Sequence, residues 1–255
     1  MIEGASDTST RLPDSFSCRI CISGKGLRDL VLNFQFLFDV SEVETIESGV
    51  PDDELTGAEE RSGLLINEPA ENAPRVCVID SGIQERHPLL RPALEQSISK
   101  SWINSPTDVS DYVRRGGHGT KVAGAVLYPR DIPSTGAVFS ICWIQNARVL
   151  DQNNIMPVNL FPPKFLQEIV KHFHGEPGRT RIFNHSINAS APSRTRHMSI
   201  WAAALDNLVW DNDLLFILSA GNVKRRGLST MPGIRDYIYP LDVVTRVICG
   251  NLLVA

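Results

Sequence analysis

Short apolar runs alternate with longer segments of helical character from residue 75 to the end of the chain. The apolar runs are rich in Val, Ile, Leu and Phe and show little alternation between apolar and polar positions, as expected for strands that are covered on both faces. The strands predicted from these runs span 75–79, 138–144, 181–187, 214–218 and 243–249.

Three of the intervening segments have the residue pattern of helices, namely 118–128, 163–174 and 196–212. Pro162 and Pro163 suit the start of the second helix, because the N–H that proline lacks would have no partner there. Strands and helices that alternate in this way predict an α/β domain, in which a parallel β-sheet is flanked by helices on both faces.

The first 73 residues differ from the rest of the chain in their pattern of apolar and charged residues. An apolar stretch at 30–40 is followed by an acidic run at 41–73 that Gly and Pro interrupt, and this run indicates a linker. We therefore expect a small N-terminal extension of α+β or irregular structure with its linker, residues 1–73, followed by the main domain, residues 74–255.

Composition and charge argue against some classes of binding partner. With 42% apolar and 21% charged residues, the 255-residue chain has the composition of a globular protein. Its formal charge of −4 leaves no basic excess for phosphate groups or anionic lipid, so we expect neither nucleic acid nor a membrane as a partner. No apolar run approaches the roughly 20 residues that span a bilayer.

The cysteines and the N-terminus indicate the compartment. Five scattered cysteines in a chain of this size do not suggest a disulfide framework, and the polar N-terminus has no signal-peptide pattern. We therefore expect a cytoplasmic protein. Cys18 and Cys21 have the spacing of a zinc or redox pair, but no second pair follows, so no metal and no other cofactor is expected.

Three polar residues are candidates for chemistry because of where they lie relative to predicted elements. Asp80 ends the first strand of the main domain, His118 begins a helix within the small residues GGHGTKVAG, and Asn222 follows a strand within SAGN. A carboxylate can orient an imidazole, and a side-chain amide can donate a hydrogen bond to an oxyanion. Taken singly, Asp80 and Asn222 also fit turns or a helix cap, and His118 also fits a surface loop.

In chain order, the segments VIDSG, GHGTKVAG and LSAGN resemble the motifs of the subtilisin-like serine peptidases, or subtilases. The resemblance covers about residues 74–255 and implies a subtilisin-like fold that hydrolyses peptide bonds of peptide or protein substrates. It implies that Asp80 orients His118, that His118 is the general base and then the acid, and that Asn222 is the oxyanion donor. The segment NHSIN at 184–188 resembles the family's substrate-binding strand, which implies that Ser186 and Asn188 line the cleft.

The resemblance does not extend to the nucleophile. The family's serine lies in a Gly-Thr-Ser-x-Ala motif several tens of residues beyond the oxyanion asparagine, whereas Ser229 is the only serine after Asn222. Ser229 lies too close to Asn222, and Pro232 would break a helix that began at the serine. The last residues, 243–255, read as a buried strand with an apolar continuation and no polar tail.

We therefore expect a serine endopeptidase domain that is incomplete at its C-terminus, inactive by itself, and completed by a missing C-terminal segment. The alternative is a non-catalytic peptide-binding or regulatory protein that retains the cleft and has lost the nucleophile. For the N-terminal extension, the resemblance suggests an inhibitory or chaperone-like prosegment, but no motif supports that role, and we favour a docking or accessory region.

Overall fold

A computed structural model describes residues 9–13, 15–40, 46–47, 63–103, 105–114, 117–189 and 198–219. Within these ranges the helices are α1 Gly24–Asn33, α2 His118–Leu127, α3 Pro162–His174 and α4 Ile200–Asn212. The strands are β1 Ser9–Arg11, β2 Phe16–Cys18, β3 Ile46–Glu47, β4 Leu64–Asn67, β5 Arg75–Asp80, β6 Lys100–Ser101, β7 Gly136–Phe139, β8 Trp143–Arg148, β9 Ile182–His185, β10 Asn188–Ala189 and β11 Leu215–Leu218. No helix of the described ranges is long and apolar enough to cross a bilayer.

A five-stranded sheet in the order β11, β9, β5, β8, β6 forms the centre of the protein, and every neighbouring pair in it is parallel. Asp80 at the end of β5 lies opposite Arg148 of β8, and Ile79 lies opposite His185 of β9. The carboxyl ends of the three central strands therefore meet at one edge, where open α/β sheets place their sites.

Helices cover both faces of this sheet, as the sequence predicts. Successive side chains of a strand point to opposite faces. Cys77 and Ile79 of β5 accordingly join a buried cluster with residues of α3 and α4, whereas Val76 and Val78 join a second cluster with residues of α2. The burial of both faces explains why β5 reads as a continuous apolar run.

The prediction of one strand at 138–144 is wrong, because this run contains parts of two strands. β7 ends at Phe139 and pairs with β4, while β8 begins at Trp143 and continues through Gln145, Asn146 and Arg148. These three polar side chains are buried in the sheet. Their partners include Glu95 and the Gly178 carbonyl for Gln145, Glu85 for Asn146, and Asp108 for Arg148.

Two strands of the N-terminal 73 residues pair with strands of the main domain. β4 lies within the predicted linker and pairs with β7 in parallel, and β3 pairs with β10 in antiparallel orientation. β1 and β2 form a hairpin, and the Gln167 amide of α3 donates to Thr10 of β1 at 3.0 Å. The extension is thus of mixed α+β structure. The division at residue 74 stays a prediction, and the strand predicted at 243–249 lies outside the described residues.

Candidate active site

Asp80 lies at the carboxyl end of β5 with its side chain fully buried. The main-chain N–H of Ser81 donates to Asp80 Oδ1 at 2.7 Å, and the carbonyl oxygen of Asp80 accepts from the N–H of Val149 at 2.8 Å. Burial raises the pKa of Asp80, while the hydrogen bond from His118 and the N–H of Ser81 oppose this rise. The carboxylate is thus held rigidly at the sheet edge.

His118 is the first residue of α2, and its ring lies against Asp80. Its Nδ1 is 2.8 Å from Asp80 Oδ1 and 3.0 Å from Oδ2. Because an ionised carboxylate only accepts hydrogen bonds, Nδ1 is the protonated nitrogen of this pair and Nε2 carries the lone pair. The side chain is 13% exposed, and Nε2 has no partner among the described residues. Nε2 is therefore available to take a proton.

The pKa of His118 is raised by its neighbours despite burial. Burial lowers this pKa, but the hydrogen bond to Asp80, the charge of Asp80 and the charge of Asp111 together raise it above the usual range of histidine. Lys121, one turn along α2, acts in the opposite direction. The two carboxylates thus make His118 a stronger base than an isolated imidazole.

Glycines on either side of His118 allow α2 to approach the end of β5 closely. A Cβ on Gly119 would overlap the carbonyl oxygen of Gly82 and come within 3.0 Å of the Asp80 Cβ. Gly117 adopts a φ of +79°, which side-chain-bearing residues rarely adopt. Ala123 of α2 is fully buried, whereas a Cβ on Gly124 would meet open space. The small residues around His118 therefore serve close packing at Gly119 and Ala123.

Ser186 and Asn188 lie just beyond β9, at the same edge of the sheet as Asp80. The Ser186 hydroxyl donates to Asn184 Oδ1 at 2.6 Å. Asn188 is the first residue of β10 and lies opposite Glu47 of β3, and its buried Oδ1 accepts no hydrogen bond from the residues that the structure describes. The roles predicted for these two residues in substrate binding stay predictions.

Asn222 and Ser229 lie outside the described residues. The last described residues before Asn222 lie beside β9, because β11 pairs with β9 and the N–H of Ser219 donates to the carbonyl oxygen of His185 at 3.2 Å. The role predicted for Asn222 as the oxyanion donor stays a prediction.

A family comparison agrees with the motifs that surround Asp80 and His118. The sequence model of the Subtilase family matches residues 71–240. The chain belongs to the subtilase family. This confirms the resemblance drawn from VIDSG, GHGTKVAG and LSAGN.

Some solved serine proteases are similar to part of this chain. Two crystal structures of the Aeromonas sobria serine protease, one of them in complex with the chaperone, match 58% of this chain and 25% of their own, with identities of 21% and 22% and TM-scores of 0.42 and 0.43. The epidermin leader peptide processing serine protease from Staphylococcus aureus matches 61% of this chain and 38% of its own, with 16% identity and a TM-score of 0.42. This subtilase chain thus spans less than half the length of these proteins. No curated protein matches it significantly.

The structure also contains a buried carboxylate beside the site, Asp111, which does not belong to any of the sequence motifs. This carboxylate is 2% exposed and binds Ser81 and Thr120, which neighbour Asp80 and His118 in sequence. Asp111 lies in a polar loop without helical or strand periodicity, so no local signal distinguishes it. In the described part of the chain no group of three or more side chains could hold a metal ion, and Cys18 and Cys21 are exposed thiols.

Proposed function

We propose that this chain supplies the aspartate and histidine of a serine peptidase site, with Asp80 orienting His118 and His118 moving the proton. The observation that carries the proposal is the 2.8 Å contact between Asp80 Oδ1 and His118 Nδ1 at the carboxyl edge of the sheet. A carboxylate on Nδ1 selects the tautomer in which Nε2 is the base.

The proposed reaction cleaves a peptide bond through an acyl intermediate. A serine hydroxyl is a weak nucleophile near neutral pH, so His118 Nε2 takes its proton while the oxygen attacks the peptide carbonyl carbon. Asp80 stabilises the imidazolium that forms and does not itself take the proton. His118 then protonates the departing amine, which leaves an ester on the serine. Water hydrolyses this ester with His118 again acting as the base.

The proposed oxyanion donor is Asn222, which follows β11 in the sequence. Negative charge develops on the carbonyl oxygen as the serine attacks, and an amide N–H that is already in place stabilises this charge without reorganisation. The support is its place in the sequence four residues after β11, which ends beside β9 in the sheet.

The proposed substrate is an extended peptide that adds as an antiparallel strand at Asn188. Main-chain hydrogen bonds to a strand edge supply affinity without demanding a particular sequence. The support is that β3 already lies on β10 in this way, and that the carbonyl oxygen of Ile46 accepts from the N–H of Met156 at 2.9 Å. An extended strand at this edge is thus contacted by the chain on two sides.

We propose further that the 255-residue chain does not hydrolyse peptides by itself. It contains no Gly-Thr-Ser-x-Ala motif, and Ser229 is followed by Pro232 and Gly233. A neutral histidine without a nucleophile held beside it has no oxygen to activate. An active form would draw its serine from a further polypeptide segment.

The test begins with the coding DNA beyond codon 255, translated in all three frames. Where a Gly-Thr-Ser-x-Ala motif follows, the joined chain is produced and assayed with quenched fluorescent peptides. The joined chain is expected to cleave them, and His118→Ala is expected to lower kcat by roughly 10⁴ or more. His87→Ala is the matched control, because His87 is an exposed histidine outside the helix that carries His118.

Each other outcome of this test counts against a stated part of the proposal. A joined chain that cleaves peptides equally well as His118→Ala overturns the role of His118. Turnover by the 255-residue chain that disappears in His118→Ala overturns its inactivity. A downstream sequence without the motif, together with peptide binding and no turnover, favours the non-catalytic peptide-binding or regulatory protein.

A further inference from the structure

Asp111 is a buried carboxylate whose hydrogen bonds with described residues include none to the side chains of Asp80 and His118. Its Oδ1 accepts from the Ser81 hydroxyl at 3.0 Å and from the N–H of Val113 at 3.1 Å. Its Oδ2 accepts from the N–H and the hydroxyl of Thr120, each at 2.9 Å. A buried carboxylate is costly unless its oxygens accept hydrogen bonds, and four donors meet this requirement here.

The donors on Asp111 belong to the two elements that carry the proposed catalytic pair. Ser81 follows Asp80 and donates its N–H to the Asp80 carboxylate, while its hydroxyl accepts from the N–H of Gly119 at 3.0 Å. Thr120 is two residues after His118 in the first turn of α2. One buried carboxylate therefore ties the loop after β5 to the start of α2.

The same contacts replace the N-terminal cap that α2 lacks. The cap position is Gly117, which has no side chain to accept from the first free N–H groups of the helix. The Ser81 hydroxyl accepts from Gly119, and Asp111 accepts from Thr120, so residues distant in sequence perform the capping. A negative charge at a helix N-terminus is also favourable to the helix dipole.

We propose that Asp111 is a positioning residue for His118, which it holds against Asp80 by capping α2 through Thr120 and Ser81, while its charge stabilises the protonated imidazole. The proposal rests on the proposed role of His118 as the base. Asp111 touches no reacting atom and acts only through these neighbours and through its charge.

The loop that carries Asp111 is itself anchored to the sheet. Arg148, which is 1% exposed, donates to the carbonyl oxygen of Asp108 and pairs with its carboxylate, both at 2.8 Å. The side-chain amide of Gln84 donates to the carbonyl oxygen of Asp111. On the helix side, a Cβ on Gly117 would overlap the Asp111 carboxylate. The carboxylate therefore has little freedom to move away from α2.

The charged groups around His118 agree with this role. Asp80 and Asp111 both favour the protonated form of His118, and Lys121 of α2 disfavours it. A base whose charged form is stabilised before the reaction needs less rearrangement when it takes the serine proton.

The test is the titration of His118 by NMR in the full 255-residue chain, which needs neither a substrate nor a serine. Asp111→Asn keeps the shape of the side chain and removes the charge and one acceptor. The expected result is a lower pKa of His118 and faster exchange of its Nδ1–H with water. Asp131→Asn is the control, because it removes the charge of an exposed aspartate that lies outside the loop that carries Asp111. It is expected to leave both readouts of His118 unchanged.

A second variant keeps the proposal testable if Asp111→Asn does not fold. Ser81→Ala removes the hydroxyl that joins Asp111 to Gly119 and retains the N–H that binds Asp80. It is expected to speed the exchange of the His118 Nδ1–H, whereas Ser140→Ala, which removes a buried hydroxyl bound to the Asn67 carbonyl, is expected not to. The proposal is overturned if folded Asp111→Asn or Ser81→Ala matches the wild type, or if the matched controls show the same change. The titration does not require peptide hydrolysis. A negative result in the peptidase assay would therefore count against the proposed function and not against the role of Asp111.

Discussion

Gly119 lies directly against Gly82, with the helix that carries His118 packed onto the turn that follows Asp80. A Cβ on Gly119 would overlap the carbonyl oxygen of Gly82. The distance of 2.8 Å between His118 and Asp80 therefore depends on a contact between two backbones as well as on the hydrogen bond itself. Such contacts leave no room for even a methyl group.

Gly119→Ala is expected to destabilise the fold and to separate His118 from Asp80. Overpacking at a closely packed position typically costs about 1–3 kcal/mol, and here α2 can relieve it only by moving away from β5. Urea unfolding measures the loss, and the His118 Nδ1–H resonance reports the separation. Gly124→Ala in the same helix is the matched control. A Cβ there meets open space, so a gain of about 0.5–1 kcal/mol is expected. Equal effects of the two substitutions would contradict the packing argument.

The stability that the Asp80–His118 pair contributes is expected to fall as the pH rises. Because the folded pKa of His118 is raised, its favourable contribution is complete below the unfolded value of about 6.5 and is lost as the pH rises through the folded value. His118→Gln should therefore cost more free energy of unfolding at pH 6 than at pH 9. In an Asp80→Asn background this difference should shrink, since the partner charge is gone. A cost that is the same at both pH values would refute this account.

His185 is expected to weaken the protein in acid. Its ring is buried edge-on against Trp201, and within the described part of the chain neither ring nitrogen has a hydrogen-bond partner. Burial lowers the pKa of His185 to about 4. Below about pH 6.5, His185 therefore takes up a proton in the unfolded chain but stays neutral in the folded chain.

The variant that tests this is His185→Leu, measured by urea unfolding between pH 4.5 and 8. Relative to the wild type, it should gain about 1 kcal/mol for each pH unit below 6.5. Above pH 7.5 the difference between the two proteins should be constant, which serves as the internal control. Parallel stability curves across the whole range would show that His185 takes up its proton in the folded state.

Ile46 is expected to hold β3 on the edge that we propose for the substrate. Its side chain is 6% exposed within the cluster that also contains Met156 and Leu205. Truncation of a buried isoleucine to alanine typically lowers the free energy of unfolding by about 2–5 kcal/mol. Ile46→Ala should therefore release β3 and expose the N–H of Met156 to hydrogen exchange.

Hydrogen exchange at Met156 and binding of extended apolar peptides measure this release. Protection of Met156 should fall in Ile46→Ala, and the peptides should bind more tightly because they no longer compete with β3. Ile22→Ala is the control, since Ile22 is a 40% exposed isoleucine of the same N-terminal extension. Unchanged protection and unchanged peptide affinity in Ile46→Ala would show that β3 does not occupy a peptide-binding edge.

Parts of the fold and site are predictable because their signals are local. The apolar run that becomes β5, the small residues beside His118 and the position of Asp80 at a strand end are all visible within about ten residues of sequence. β8 is harder to predict, because Gln145, Asn146 and Arg148 interrupt its apolar pattern. They can be buried only because Glu95, Glu85 and Asp108 supply partners.

The sequence by itself determined the family, the alternation of strands and helices, and the candidacy of Asp80 and His118. Only the tertiary structure decided that Asp111 caps α2 and that β3 and β4 pair with β10 and β7. The physical reason is that periodicity reports which side of an element is buried, whereas hydrogen bonds such as that between Ser81 and Asp111 join residues 30 positions apart. A local sequence pattern does not indicate which distant donor will form a hydrogen bond with a buried carboxylate.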